Sequence, residues 1–269
     1  MTSKIEWTTD TWNIITGCSK HSEGCQNCYA ASFHKRLAGM KQKKYQHPFN
    51  QVIYHSEELN RVIGKKKLVF VNSMSDTFHE SIDKSQIDWL LTACKVQPFN
   101  QFQILTKRAE RLPSFKYPEN VWLGTTVEMA KYKQRIDFLR KTDAKIKFLS
   151  CEPLLEDLGE LDLSGIHWVI VGGESGPHSR PMHINWVRNI LRQCREQNVA
   201  FFFKQWGMWC PYKNDALVHD VFVFKNSENK EKPDKDDIYY HIGKKYSGSM
   251  LDGKEYKEYP AWTSNWQEK

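Results

Sequence analysis

No stretch of this 269-residue sequence approaches the roughly 18–20 consecutive apolar residues of a membrane-spanning helix. The opening Met-Thr-Ser-Lys-Ile-Glu-Trp also lacks the apolar run of a secretory signal. No internal repeat is visible, which argues against a repeat array. These absences set membrane partners aside and make the cytoplasm the expected compartment. Thiols stay reduced there, so the seven cysteines read as metal ligands, nucleophiles or core residues rather than disulfides.

Positive charge, by contrast, is plentiful. The net charge is +7. Residues 208–269 hold ten Lys against eleven acids, which is −1, so residues 1–207 carry +8. A basic body of this kind attracts phosphate and admits a nucleic acid or nucleotide as partner.

The length suits one large α/β domain or two small ones. Seven apolar runs read as strands: 12–16, 68–72, 102–106, 121–125, 146–150, 168–171 and 200–203. Runs such as Leu68-Val-Phe-Val and Trp168-Val-Ile-Val do not alternate with polar residues, as expected of strands covered on both faces. Helices are expected between them. Ile87, Leu90, Leu91 and Cys94 form one stripe, with Asp83 and Gln86 as a capping box. Met129, Tyr132, Ile136 and Leu139 form another. Val187, Ile190, Leu191 and Cys194 form a third, with Asn185 as N-cap. Strand–helix alternation predicts a partial or complete parallel (β/α) barrel over residues 1–207. Residues 208–269 would form an extension packed on it, with a charged stretch at 226–237 and an aromatic end of Tyr256, Tyr259, Trp262 and Trp266.

The densest chemical signal is Cys18-x6-Cys25-x2-Cys28, directly after the first strand and before a helix. Thiolates at Cys-x2-Cys spacing on a turn reach one metal centre, and the third can fold back across a Gly-flanked loop. One reading is a structural zinc site completed by His21 or His34. Another is a four-iron cluster whose fourth iron has no protein ligand. Cys94 and Cys194 sit on apolar stripes and read as core, and Cys151 and Cys210 have no close cysteine neighbour. His178 and His183 follow the sixth strand without a nearby cysteine pair, which makes a second metal site there a weak alternative.

Several segments together carry a family resemblance. They are Trp12-Asn13 with the cysteine segment, Leu105-Thr-Lys-Arg108, Asn120-Val-Trp-Leu-Gly124, Cys151-Glu-Pro-Leu-Leu155, Val171-Gly-Gly-Glu-Ser-Gly-Pro177, Arg180-Pro-Met182 and Phe203-Lys-Gln-Trp-Gly207. Over nearly its whole length the chain resembles a bacterial and phage family defined by a three-cysteine motif, which is similar to radical S-adenosylmethionine enzymes. The resemblance implies a [4Fe-4S] cluster on Cys18, Cys25 and Cys28, S-adenosylmethionine as second cofactor, and an external electron donor. Two features depart from the general radical-enzyme pattern. The usual spacing is Cys-x3-Cys-x2-Cys, and an aromatic residue usually precedes the third cysteine, where this chain has Asn27 before and Tyr29 after.

Chemistry in parallel barrels collects at the carboxyl ends of the strands. There the sequence offers Ser73 and Asp76 for the S-adenosylmethionine ammonium, with Glu128, Glu152, Gly172, Gly173 and Glu174 as further cofactor-binding candidates. Glu152 suits ribose hydroxyls, and Gly172 with Gly173 would let backbone approach a ligand closely. Lys107, Arg108, Arg180 and Lys204 suit a phosphate or carboxylate on a substrate. The expected activity is formation of a 5′-deoxyadenosyl radical, with a nucleic acid or nucleotide as substrate. The alternatives are a zinc- or cluster-stabilised nucleic-acid-binding protein and an iron–sulfur protein that only binds a partner. The stretch 244–253 is a candidate lid.

Overall fold

The computed structural model describes residues 5–64, 66–212, 218–224 and 234–261. Seven strands lie in one sheet in the order of the chain: β1 (Asp10–Trp12), β2 (Leu68–Val71), β3 (Gln101–Thr106), β4 (Val121–Thr126), β5 (Ile146–Cys151), β6 (Trp168–Gly172) and β7 (Ala200–Gln205). β1 pairs with β2, β2 with β3, β3 with β4 and β6 with β7, all in parallel. β1 and β7 are the ends of this order, so the fold is the partial, half-barrel form of the expected parallel α/β architecture. Every residue of β4 and β6 is buried, which is why these strands read as unbroken apolar runs.

Two compact units are distinguished. One comprises 5–126 with Gln134–Leu149, the other Val127–Lys133 with Ser150–Ala261. In the first, Trp7 packs its ring 4.6 Å from Phe70, and Trp12 lies 5.6 Å from Phe102. Gly124 is required beside Phe148, because a Cβ there would fall 2.4 Å from the ring. Helix α1 (Tyr29–Gly39) buries Ala30, His34 and Leu37. Helix α2 (Lys84–Lys95) buries the expected Ile87, Leu90, Leu91 and Cys94, and starts at the Asp83–Gln86 capping box.

The first strand differs from expectation. It ends at Trp12, and Ile15–Thr16 turns away to pair antiparallel with Ile53–Tyr54. The cause is the end of β2. Asn72, at φ 57°, accepts hydrogen bonds on its side-chain oxygen from the amides of Ile14 and Ile15, each at 2.8 Å. Asn13 reciprocates by accepting from the Met74 amide at 3.2 Å. The second helical stripe also shortens. Helix α3 spans Gln134–Arg140 and buries Ile136 and Leu139, while Met129 is extended and Ala130–Tyr132 forms a separate 3-10 turn. Helix α4 (Ile184–Glu196) is capped by His183 rather than Asn185, the ring Nδ1 accepting from the Asn185 amide.

In the second unit, residues after β7 form a small antiparallel sheet of β8 (Trp209–Cys210), β9 (Asp220–Val223) and β10 (Ile238–His241), with β10 central. The stretch 256–259 runs along β7. Phe203 donates its amide to Tyr256 and Glu258 donates its amide to Phe201, so the edge strand is covered. Tyr259 stacks 5.1 Å from Trp168, while Trp262, Trp266 and most of the charged 226–237 stretch lie outside the described residues. No described helix is long and apolar enough to cross a membrane.

Candidate metal centre and strand-end groups

The cysteine loop departs from the end of Ile15–Thr16 through Gly17, whose φ of 82° and close approach to Gln51 admit only glycine: a Cβ would lie 2.0 Å from the Gln51 carbonyl oxygen. Gly17 bridges in parallel to Ser75, whose hydroxyl donates to the Gly17 carbonyl. Cys18 donates its amide to Phe49, Cys25 closes a 3-10 turn over Glu23–Cys25, and Cys28 is the N-cap of α1. All three thiols are half-buried and free, whereas Cys94, Cys151, Cys194 and Cys210 are buried. Burial and full packing make the latter four core residues, as read for Cys94 and Cys194.

A buried cation sits against this loop. Arg108, 3% exposed just beyond β3, directs Nη1 to Cys18 Sγ at 3.8 Å and to Asp76 Oδ2 at 3.2 Å. Its Nε donates to Glu80 at 2.8 Å and its Nη2 to the Ser19 hydroxyl at 2.9 Å. Burial, followed by the Asp76 charge, pushes the Cys18 thiol up to about 12, with Arg108 opposing both. Glu80 is drawn down to about 2: desolvation works against this, and hydrogen bonds from its backbone and from Arg108 overcome it. Ser19 also meets the buried His79 ring at 2.8 Å. Ser19, His79 and Glu80 were not singled out from the sequence. The signal was available, since His79 and Glu80 follow Asp76 on the same strand-to-helix connection.

Several expected roles meet groups already engaged within the chain. Asp76 accepts from Thr106 at 2.6 Å, the Phe78 amide at 2.9 Å and the Lys107 amide at 3.2 Å, besides Arg108. Its carboxylate thus anchors Arg108 and the β3 end. Ser73 donates to Asn13 at 3.1 Å, and its carbonyl accepts from Tyr29 Oη at 2.5 Å. Lys107 has no side-chain ion pair among the described residues, its amide alone being bonded to Asp76. His34 lies in the α1 core, its Nε2 at 2.7 Å from the His47 carbonyl and its Nδ1 buried without a hydrogen-bond partner. Among the described residues no three His, Cys, Asp or Glu side chains converge to hold a single metal ion.

The second unit gathers the remaining candidates. Glu128 is fully buried. Glu152 is paired with Lys204 at 2.5 Å and accepts from Ser150 at 3.2 Å. Glu174, 5% exposed, grips the Arg180 guanidinium by both oxygens, at 2.9 and 2.5 Å. Lys204 and Arg180 are thus each paired with a carboxylate. A Cβ on Gly173 would fall 1.8 Å from the Trp206 carbonyl oxygen, and one on Gly172 would fall 3.1 Å from Glu152. The two glycines therefore admit the Trp206 backbone and the Glu152 carboxylate at close range. His183 uses Nδ1 as the α4 cap and donates Nε2–H to Asp237 at 3.2 Å, leaving no nitrogen for a second metal.

Fold and site define a class: a parallel α/β half-barrel with a cysteine loop and a buried arginine at the carboxyl ends of its first strands. Within that class the chain belongs to the family described as "Protein of unknown function (DUF5131)", which matches residues 2–260. No curated protein matches it in sequence. Among solved structures it is similar to spore photoproduct lyase complexed with dinucleoside spore photoproduct, at 12% identity and a TM-score of 0.36 over 85% of this chain and 67% of that one. A mutant of that lyase with the same ligand gives 12% identity and a TM-score of 0.37 over the same shares.

Proposed function

We propose that the chain is a radical S-adenosylmethionine-type iron–sulfur enzyme whose cluster is held by Cys18, Cys25 and Cys28. The observation that carries this reading is the half-buried three-thiol loop with the Arg108 guanidinium donating to Cys18 Sγ. The donor set fits the group. Thiolates are the ligands of a four-iron cluster, and each holds a different iron, so three ligands need not converge on one point. Three thiolates also suit a zinc ion completed by a fourth ligand, so metal content separates the two readings. When bound, the group would supply one electron, drawn from an external donor, for cleavage of S-adenosylmethionine to methionine and a 5′-deoxyadenosyl radical.

The chain's own residues then do the following. Arg108 places a fixed positive charge beside a ligand sulfur, which stabilises the anionic form the ligand needs. Asp76 and Glu80 hold that guanidinium in place from two sides. Ser73, tied to Asn13 and Tyr29, is the proposed polar contact for S-adenosylmethionine nearest the loop. Lys107 is the proposed anion contact for a nucleic acid or nucleotide substrate.

Anaerobic reconstitution with iron and sulfide, followed by metal analysis, tests the ligand assignment. The wild type should hold about four irons per chain, and Cys25→Ala should lose the stable four-iron content. One zinc without iron, or a full cluster in Cys25→Ala, would contradict it. The zinc outcome would leave a metal-stabilised nucleic-acid-binding protein.

A further inference from the structure

The outward side of α1 carries a stripe of exposed apolar side chains. Tyr29, Phe33, Arg36 and Met40 recur at i, i+4, i+7 and i+11, so they share one side of the helix and its cap. Tyr29 is 53% exposed, Phe33 44% and Met40 60%, about a quarter-turn around the helix from the buried Ala30, His34 and Leu37. The stripe spans about 16 Å at the helical rise. Tyr29 is fixed, because its hydroxyl is spent on the Ser73 carbonyl while its ring stays open to solvent.

Charge sharpens the picture. From Gly24 to Ser56 the sequence contains no Asp or Glu, yet it contains Lys35, Arg36, Lys41, Lys43 and Lys44. Lys44 turns inward to Glu58 at 2.6 Å. The other four are exposed, and none has an ion pair among the described residues. A large share of the chain's net +7 is therefore concentrated, unneutralised, around three exposed apolar side chains.

We propose that this face of α1 is a docking platform for single-stranded nucleic acid. Bases stack on Tyr29 and Phe33, Arg36 on the same stripe takes a phosphate, and Lys35 and Lys43 add positive charge around it. Single strands expose a π-face and a phosphate at every nucleotide, which is the complement of aromatic rings interleaved with unpaired cations. An acidic protein partner would match the charge but not the repeated ring faces. The platform begins at the residue after Cys28, so a strand lying along it is led to the cysteine loop. Its relevance to substrate rests on the function proposed above, but the binding itself does not require a cluster.

Fluorescence anisotropy with a labelled mixed-sequence single-stranded DNA 20-mer, across a sodium chloride series, tests it on metal-free and reconstituted protein alike. Phe33→Ala should weaken binding about tenfold with the salt slope unchanged. Arg36→Gln should lower that slope by about 0.7, the value of one phosphate contact on a single strand. Trp89→Ala, on the exposed side of α2, should change nothing. Absence of binding, equal weakening by Trp89→Ala, or transfer of the Phe33 dependence to phosphatidylglycerol vesicles would overturn the proposal. So would a Phe33-dependent change of oligomeric mass with DNA binding intact. A full cluster without DNA binding would remove only the platform, and DNA binding without a cluster would remove only the radical reading.

Discussion

Asn72 closes the end of β2 with three buried hydrogen bonds: two accepted from Ile14 and Ile15, and one donated to the Thr77 hydroxyl at 2.9 Å. Its φ of 57° is a conformation asparagine tolerates better than most side chains. Asn72→Ala strands two buried amides and should cost about 2–5 kcal/mol, read as a fall in the urea midpoint at constant m-value. A loss below about 0.5 kcal/mol would show those amides re-paired. Arg108 and Asp76 form a buried pair, so Arg108→Gln should cost about 3–5 kcal/mol by leaving a buried carboxylate uncompensated. Adding Asp76→Asn should recover part of that cost in a double-mutant cycle, and simple additivity would refute the pairing. Gly173→Ala should prevent normal folding because the Trp206 carbonyl fills the space, whereas Gly39→Ala, with nothing within 4 Å, should stabilise by up to about 1 kcal/mol in thermal melts.

At the scale of elements, six of the seven strands and the cores of α2 and α4 were legible because burial on one or two faces leaves its period in the sequence. The start of α3 was not. The Ala130 amide is held by Glu156 at 2.6 Å and the Leu155 amide donates to the Glu128 carbonyl, so a distant segment pins residues 128–130 in an extended form against a helical stripe. The pairs Glu152–Lys204 and Glu174–Arg180 escaped for the same reason: the fold, not the residue types, chooses the partner. Glu258 illustrates what such pairing does. The fork of hydrogen bonds from Arg195 holds its carboxyl below the usual 4.5, desolvation opposes this, and the Phe201 amide adds to the lowering. The native state thus binds its proton less readily than the unfolded chain. The contribution is complete above pH 4.5 and is lost as pH falls through the native value. Both side chains are partly exposed, so Glu258→Gln should cost about 0.5–1 kcal/mol near pH 7. The gap from wild type should close below pH 4.5 in denaturant titrations, and a pH-independent gap would contradict the pairing.

Across the whole molecule, the cysteine loop, the Arg108 charge that faces it and the basic face of α1 all belong to one compact unit, built on the carboxyl ends of β1 to β3 and on α1. The cysteine spacing and the net charge were plain in the sequence. That Arg108 turns to Cys18 rather than to a substrate was not, because the contact joins residues 90 positions apart. The central claim is an iron–sulfur cluster with one iron open to S-adenosylmethionine. Electron paramagnetic resonance of the anaerobically reconstituted, dithionite-reduced protein, with and without S-adenosylmethionine, tests it most directly. The account predicts a reduced four-iron signal whose line shape changes when S-adenosylmethionine is added. A signal indifferent to S-adenosylmethionine, or none in a protein that holds zinc, would contradict it.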